Sequence, residues 1–168
     1  MRHSRTPGEH PAWPGGGATV DFLGRIMKEK QRIAVISDDL NTSRALEYIL
    51  EAADFEIQLI CDHPQFHQRM EAWETAKDAI DLLIVDVETP GVAEDGWFDE
   101  INALGSRVPI FAINGYGVRN WEARRFQHRW SAYLEKPFNA DSFLNAVRNL
   151  LIDQRTHPRN GTDDSDIA

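Results

Sequence analysis

Three charged residues, Asp38, Asp86 and Lys136, each stand at the carboxyl end of a short apolar run. If the three runs are strands of one parallel sheet, their charges lie at the same edge. This edge is where open α/β sheets place their chemistry. Two carboxylates and an ammonium group there would form a small acidic pocket that suits a divalent cation and a phosphoryl group.

The residue types indicate which chemistry this pocket could perform. An aspartate such as Asp86 can accept a phosphoryl group covalently. Two facing carboxylates repel each other unless a cation neutralises them, and hard oxygen ligands favour Mg²⁺ over zinc. Lys136 could pair with Asp86 or with a phosphate on it, so that metal and lysine together neutralise the charge that develops during transfer. The Lys136-Pro137 bond is a candidate cis peptide.

Strands and helices alternate along the central part of the chain. We predict strands over 32–37, 56–61, 82–85, 108–113 and 132–134, and helices over 43–53, 63–77, 95–104, 119–130 and from Asn139 or Asp141 onward. Asn41 or Thr42 is expected to cap the first helix. Residues 82–85 are all apolar, as in a central strand buried on both faces. The alternation predicts an α/β fold with a doubly wound parallel sheet.

Length, charge and cysteine content limit the functional classes. A chain of 168 residues suggests one folded domain. The net charge of −9 makes nucleic acid a poor partner. No apolar stretch approaches the roughly 20 residues of a membrane span, so we expect no membrane association. The single cysteine, Cys61, fits a reducing, cytoplasmic location, and we expect its thiol to be buried in the second strand.

Composition divides the chain into three parts. Residues 1–30 are rich in Pro and Gly and predict a disordered extension, in which 19–30 have the spacing of a short amphipathic helix. Residues 31–154 hold the predicted sheet. Residues 155–168 are polar and acidic and predict a disordered tail.

Two histidines, His63 and His67, lie four residues apart on one predicted helix. This is a spacing of zinc ligands on a helix. No third ligand is evident from the sequence, so the six histidines predict no metal site.

Over residues 31–154 the sequence resembles the receiver domain of two-component response regulators. The resemblance rests on Asp38, on Asp86 with Pro-Gly four and five residues after it, on Lys136-Pro137, and on the aromatic Tyr133. It implies a flavodoxin-like, five-stranded sheet of order 2-1-3-4-5, with Asp86 as the phosphoacceptor and Tyr133 at the switch position. It also implies Mg²⁺ bound by Asp38, Asp86 and the backbone carbonyl of Glu88.

The sequence departs from the receiver pattern at two positions. Ser37 stands where the family has the first of two adjacent acids, although Asp39 could act as a ligand if the strand ended one residue later. Asn114 stands where the family has Thr or Ser, whose hydroxyl binds the phosphoryl group. An amide can donate a hydrogen bond, but its greater length puts the coupling to Tyr133 in question. The carboxylate of Glu88 is expected beside the phosphate.

These features lead to two main hypotheses. The first is a stand-alone, atypical response regulator, phosphorylated on Asp86 by a histidine kinase or phosphotransfer protein. It would not be an enzyme beyond self-catalysed phosphotransfer and autodephosphorylation. Its output would be protein contact through the arginine- and tryptophan-rich surface of helix 119–130, with a homodimer as a further option. The alternative is a phosphorylation-independent pseudo-receiver, motivated by Ser37 and Asn114. A phosphatase-like hydrolase comes third because no general acid has the right spacing.

Overall fold

The computed structural model describes residues 30–75, 78–92, 95–115 and 130–156. In chain order the elements are β1 (Arg32–Ile36), α1 (Leu40–Ala52), β2 (Glu56–Ile60), α2 (His63–Trp73), β3 (Leu82–Asp86), α3 (Asp95–Leu104), β4 (Ile110–Asn114), β5 (Ala132–Glu135) and α4 (Ala140–Thr156). The helices predicted over 119–130 and 19–30 lie outside the described residues, apart from one terminal residue of each.

The five strands form one parallel sheet of order β2-β1-β3-β4-β5, which confirms the predicted fold and strand order. The register pairs Ile36 with Val85 and Asp86 with Ile113, so β1, β3 and β4 end at nearly the same height. All residues of β3 and β4 are buried, as expected for central strands covered on both faces.

Alternate residues of each strand face two separate cores. On one face, residues such as Ala34 and Val85 pack against α2 and α3. On the other, Ile33, Ile84 and Phe111 pack against α1 and α4. Each large apolar side chain buried in this way contributes about 1.5–3 kcal/mol. These two layers hold the strand ends in place. No helix in the described part of the chain is long and apolar enough to span a membrane.

The first helix begins earlier than predicted. α1 starts at Leu40 rather than at residue 43, and its N-cap is Asp39 instead of Asn41 or Thr42. The Asp39 carboxylate accepts hydrogen bonds from the backbone N–H groups of Asn41 and Thr42, at 3.4 and 2.9 Å. An aspartate directly after the strand can therefore satisfy the free donors of the first turn, and the helix starts there.

Other predicted boundaries were also wrong by one to four residues. α2 ends at Trp73 rather than at residue 77. Just after its last residue, the Thr75 hydroxyl donates a hydrogen bond to the carbonyl of Ala72. β4 starts at Ile110 rather than at residue 108, because Pro109 has no N–H for the ladder. β2 ends at Ile60, so Cys61 lies beyond the sheet edge and is exposed, which corrects the predicted buried thiol.

Candidate functional site

Asp86 is the last residue of β3, and its carboxylate lies in a buried pocket at the carboxyl edge of the sheet. The residue is 1% exposed. Its Oδ2 accepts hydrogen bonds from Ser37 Oγ at 3.0 Å and from Lys136 Nζ at 2.8 Å. Among the described residues, its Oδ1 accepts one long hydrogen bond, 3.3 Å, from the backbone N–H of Glu88. A buried carboxylate needs such partners because water no longer solvates its charge.

Lys136 reaches Asp86 from the end of β5. Its backbone N–H donates to the carbonyl of Asn114 at 2.6 Å, and the Lys136-Pro137 peptide bond is cis, as predicted. Its Nζ also donates to Glu88 Oε2 at 3.1 Å. Burial lowers the pKa of Lys136, but the hydrogen bonds and charges of Asp86 and Glu88 outweigh this effect and raise that pKa overall. The lysine is therefore cationic at neutral pH.

The two aspartates after β1 occupy different positions. Asp38 is exposed, and its backbone N–H donates to Thr89 Oγ1 at 3.4 Å, which links the end of β1 to the loop after Asp86. Asp39 points to the first turn of α1 as its N-cap. Hydrogen bonds from the hydroxyl and the backbone N–H of Thr42 lower the pKa of Asp39. Its carboxylate is thus occupied by the helix, and Asp38 is the better placed for a ligand.

By the type of their donor atoms, the predicted ligands of the site suit a largely hydrated magnesium ion. Asp38 and Asp86 would supply carboxylates and Glu88 a backbone carbonyl, and Mg²⁺ needs only one or two carboxylates because it keeps several waters. Ser37 donates its hydroxyl to Asp86 and brings no negative charge. Within residues 30–156, as far as they are described, no three His, Cys, Asp or Glu side chains group closely enough to hold a metal. Such a site would rest on two carboxylates.

Asn114 and Tyr133 are connected directly. Asn114 ends β4, is 1% exposed, and donates from Nδ2 to the hydroxyl of Tyr133 at 2.9 Å. Its Oδ1 is buried without a hydrogen-bond partner in the described part of the chain. The amide therefore joins the interior of the site to Tyr133, which is 37% exposed on β5.

The side chain of Glu88 makes two contacts at the site that the sequence did not specify. Besides its contact with Lys136, the carboxylate lies against Gly115, and a Cβ at residue 115 would overlap it. The sequence drew attention to Glu88 chiefly for its carbonyl and did not predict these contacts. The signal that could have revealed them is the pairing of an acid two residues after Asp86 with a glycine directly after β4.

A second polar cluster joins α2 to α3. His63 Nε2 and His67 Nδ1 lie 3.1 and 3.4 Å from the two carboxylate oxygens of Glu100, and His63 stacks on Trp97. The sequence offered no third partner because Glu100 comes from another helix. The three side chains are not among the groups able to hold a metal, so the cluster serves as a helix-to-helix contact.

The sheet order and the Asp86–Lys136 pair define a class, a flavodoxin-like α/β domain with an aspartate pocket. The family of the response regulator receiver domain matches residues 33–148, well over half of the chain. The chain therefore belongs to this family, as the sequence resemblance predicted. Receiver domains generally act as phosphoacceptors rather than enzymes, typically bind Mg²⁺ at the acidic site, and interact with histidine kinases and downstream effectors.

Individual relatives agree with this assignment. Nodulation protein W of Bradyrhizobium diazoefficiens is 24% identical over 135 residues, which cover 80% of this chain and 55% of that protein. The polar-differentiation response regulator DivK of Brucella anthropi is 21% identical over 125 residues, which cover 72% of this chain and 96% of DivK. Against nodulation protein W and five other curated relatives, the chain spans 25–60% of their length.

Solved structures show the same fold. A response regulator receiver domain protein from Clostridium thermocellum has a TM-score of 0.64 at 18% identity, covering 75% of this chain and 98% of that one. Full-length FixJ from B. japonicum has a TM-score of 0.61 at 24% identity, covering 78% of this chain and 61% of FixJ.

Proposed function

We propose that this protein is an atypical response-regulator receiver that takes a phosphoryl group on Asp86 and signals through protein contact. The observation that carries the proposal is the buried carboxylate of Asp86 with the ammonium group of Lys136 at 2.8 Å. A lysine held in this position can neutralise the charge that a transferred phosphoryl group brings. Ser37 and Lys136 both bind Oδ2, so Oδ1 is the oxygen freer to act as the nucleophile.

The donor would be a phosphohistidine of a histidine kinase or phosphotransfer protein. Oδ1 of Asp86 attacks the phosphorus, a P–O bond forms and the P–N bond breaks, and the imidazole leaves with the electron pair of that bond. Mg²⁺, held by Asp38, Asp86 and the Glu88 carbonyl, would offset part of the negative charge of the phosphoryl group. Its affinity is expected to be low because Ser37 replaces an acid. The cytoplasmic location predicted from Cys61 suits such donors and stays a prediction.

The signalling step would use the bond between Asn114 and Tyr133. One N–H of the Asn114 amide binds the Tyr133 hydroxyl, and a rotation that turns the amide towards a phosphoryl oxygen would break this bond. Phosphorylation would thereby free a half-exposed aromatic side chain on β5. Four expectations from the sequence stay predictions. They are the partner surface on helix 119–130, the homodimer, the stand-alone organisation, and the domain limits at 30/31 and 154/155.

A phosphorylation-independent pseudo-receiver is the second candidate. It is favoured by the complete pairing of charges at Asp86 without a phosphoryl group, since Ser37, Lys136 and the Glu88 backbone already bind the carboxylate. Such a protein would present the same surface to its partners at all times.

Labelling by a small phosphodonor in the presence of Mg²⁺ tests the proposal. We expect the wild type to gain about 80 Da, one phosphoryl group, and Asp86→Asn to gain none. Asp141→Asn, the same substitution on the exposed start of α4, is the matched control and should be labelled like the wild type. Equal labelling of Asp86→Asn would refute Asp86 as the acceptor. A folded wild type that is never labelled would favour the pseudo-receiver.

A further inference from the structure

The carboxylate of Glu88 occupies the space between Lys136 and the end of β4. We propose that this side chain competes with the phosphoryl group for Lys136, so that it must swing into solvent before Asp86 can hold a phosphoryl group. Glu88 would then set how readily the site accepts phosphorylation, which rests on the proposed function of Asp86.

The contacts of Glu88 fix its carboxylate on two sides. Oε2 lies 3.1 Å from Lys136 Nζ, and Oε1 lies against Gly115, where a Cβ would overlap it. The backbone N–H of Glu88 donates to Asp86 Oδ1, so the main chain is anchored and a displacement of the carboxylate would involve only the side chain. The side chain is 48% exposed, and rotation can therefore carry the carboxylate into water.

The charges explain why Glu88 and a phosphoryl group exclude each other. Phosphorylation turns the Asp86 carboxylate, which has one negative charge, into an uncharged acyl group and places about two negative charges on the phosphoryl oxygens. Lys136 is the cation in contact with both Asp86 and Glu88. A carboxylate that stays beside it would repel the phosphoryl oxygens and occupy one of its donors. This repulsion favours a state in which Lys136 exchanges Glu88 for a phosphoryl oxygen.

Two substitutions disrupt this contact by different means. Glu88→Gln keeps the size of the side chain and removes its charge. Gly115→Ala keeps the charge and places a methyl group where the carboxylate lies, so the flexible glutamate must leave its position beside Lys136. Each variant should bind the phosphoryl mimic beryllofluoride about three- to tenfold more tightly than the wild type, and should be phosphorylated faster by a similar factor.

The double variant tests whether the two changes act on one contact. If they do, the gain in beryllofluoride affinity of the double variant Glu88→Gln/Gly115→Ala should be smaller than the product of the gains of the two single variants. Glu135→Gln is the matched control, because this exposed carboxylate precedes Lys136 in the chain and has no contact with its ammonium group. It removes the same charge nearby and should leave beryllofluoride affinity close to the wild-type value.

A readout on Lys136 itself does not depend on phosphorylation. The NMR signals of the Lys136 side chain should shift in Glu88→Gln and in Gly115→Ala relative to the wild type at neutral pH, because both variants disturb the contact between the Glu88 carboxylate and the Lys136 ammonium group. Wild-type affinity and rate in Glu88→Gln would overturn the competition while leaving phosphorylation of Asp86 intact. Failure of every variant to bind beryllofluoride or to be phosphorylated would overturn both proposals. A wild type that binds poorly and a Glu88→Gln variant that binds well would support both.

Discussion

Replacement of Lys136 with methionine should destabilise the protein by leaving the carboxylate of Asp86 without its cation. Asp86 is buried, and Lys136 Nζ lies 2.8 Å from its Oδ2. Ser37 would remain as a neutral donor to the same oxygen. Methionine keeps the apolar length of the lysine side chain, so the change removes the charge more than the packing.

The size of the effect follows from the burial of the two partners. Removal of one member of a fully buried ion pair costs about 3–5 kcal/mol. The Lys136 side chain is 22% exposed, so water screens part of the interaction and we expect about 1.5–3 kcal/mol. For a folded region of this size, that loss lowers Tm by roughly 5–15 °C. Urea unfolding followed by circular dichroism measures the free energy directly.

A double-mutant cycle separates the charge effect from other causes. Asp86→Asn in the Lys136→Met background removes the unpaired buried charge of the Asp86 carboxylate, so the double variant should be more stable than Lys136→Met alone. Lys30→Met is the matched control, because Lys30 pairs with Asp54 at the surface and its loss should change stability little. A Lys136→Met variant as stable as the wild type would refute the reasoning. A double variant less stable than Lys136→Met would refute it as well.

The same pair predicts a pH dependence. The folded state raises the pKa of Lys136 above its ordinary value of 10.5. A raised lysine pKa contributes stability that is complete below the unfolded pKa and is lost as pH rises through the folded pKa. The stability difference between wild type and Lys136→Met should therefore be constant at neutral pH and shrink above about pH 10.5.

Two further substitutions test the remaining contacts of the site. Asp39→Ala should lower Tm because α1 loses its N-cap, and the deficit should shrink as pH falls below 3.8 because the pKa of Asp39 is lowered in the folded state. Asp39→Asn should retain most of the stability, and an Asp39→Asn variant as unstable as Asp39→Ala would contradict the capping role. Tyr133→Phe should lower the free energy of unfolding in urea by about 1–3 kcal/mol, because the buried amide of Asn114 loses its acceptor. Tyr48→Phe, at an exposed tyrosine, should leave it unchanged, and equal effects of the two substitutions would contradict the Asn114–Tyr133 bond.

The fold could be predicted because its signals are local. Apolar runs such as 82–85 mark buried strands, and their alternation with amphipathic segments favours a parallel doubly wound sheet. The sequence resemblance added the strand order, which the paired strands confirm. Boundaries were less accurate because capping depends on side-chain geometry. Asp39 could have been a metal ligand or a cap, and only its hydrogen bonds to the first turn of α1 show that it is the cap.

Part of the site could be predicted because it follows from the sheet topology. Asp86 and Lys136 follow separate strands, and a parallel sheet brings both strand ends to one edge, so their meeting follows from the topology. The contact of Glu88 with Lys136 and Gly115 does not follow from it. It depends on which rotamer an exposed loop side chain adopts and on the space left by a missing Cβ.

The sequence by itself determined the strands, the family and the identity of the paired charges, because these depend on residue type and on spacing along the chain. The tertiary structure decided which partners each polar group takes. It assigned Ser37 to Asp86, the Asn114 amide to Tyr133, and Glu100 to the two histidines of α2. Such choices depend on distances of a few ångströms between residues far apart in sequence, and hydrogen bonds form or fail over that range.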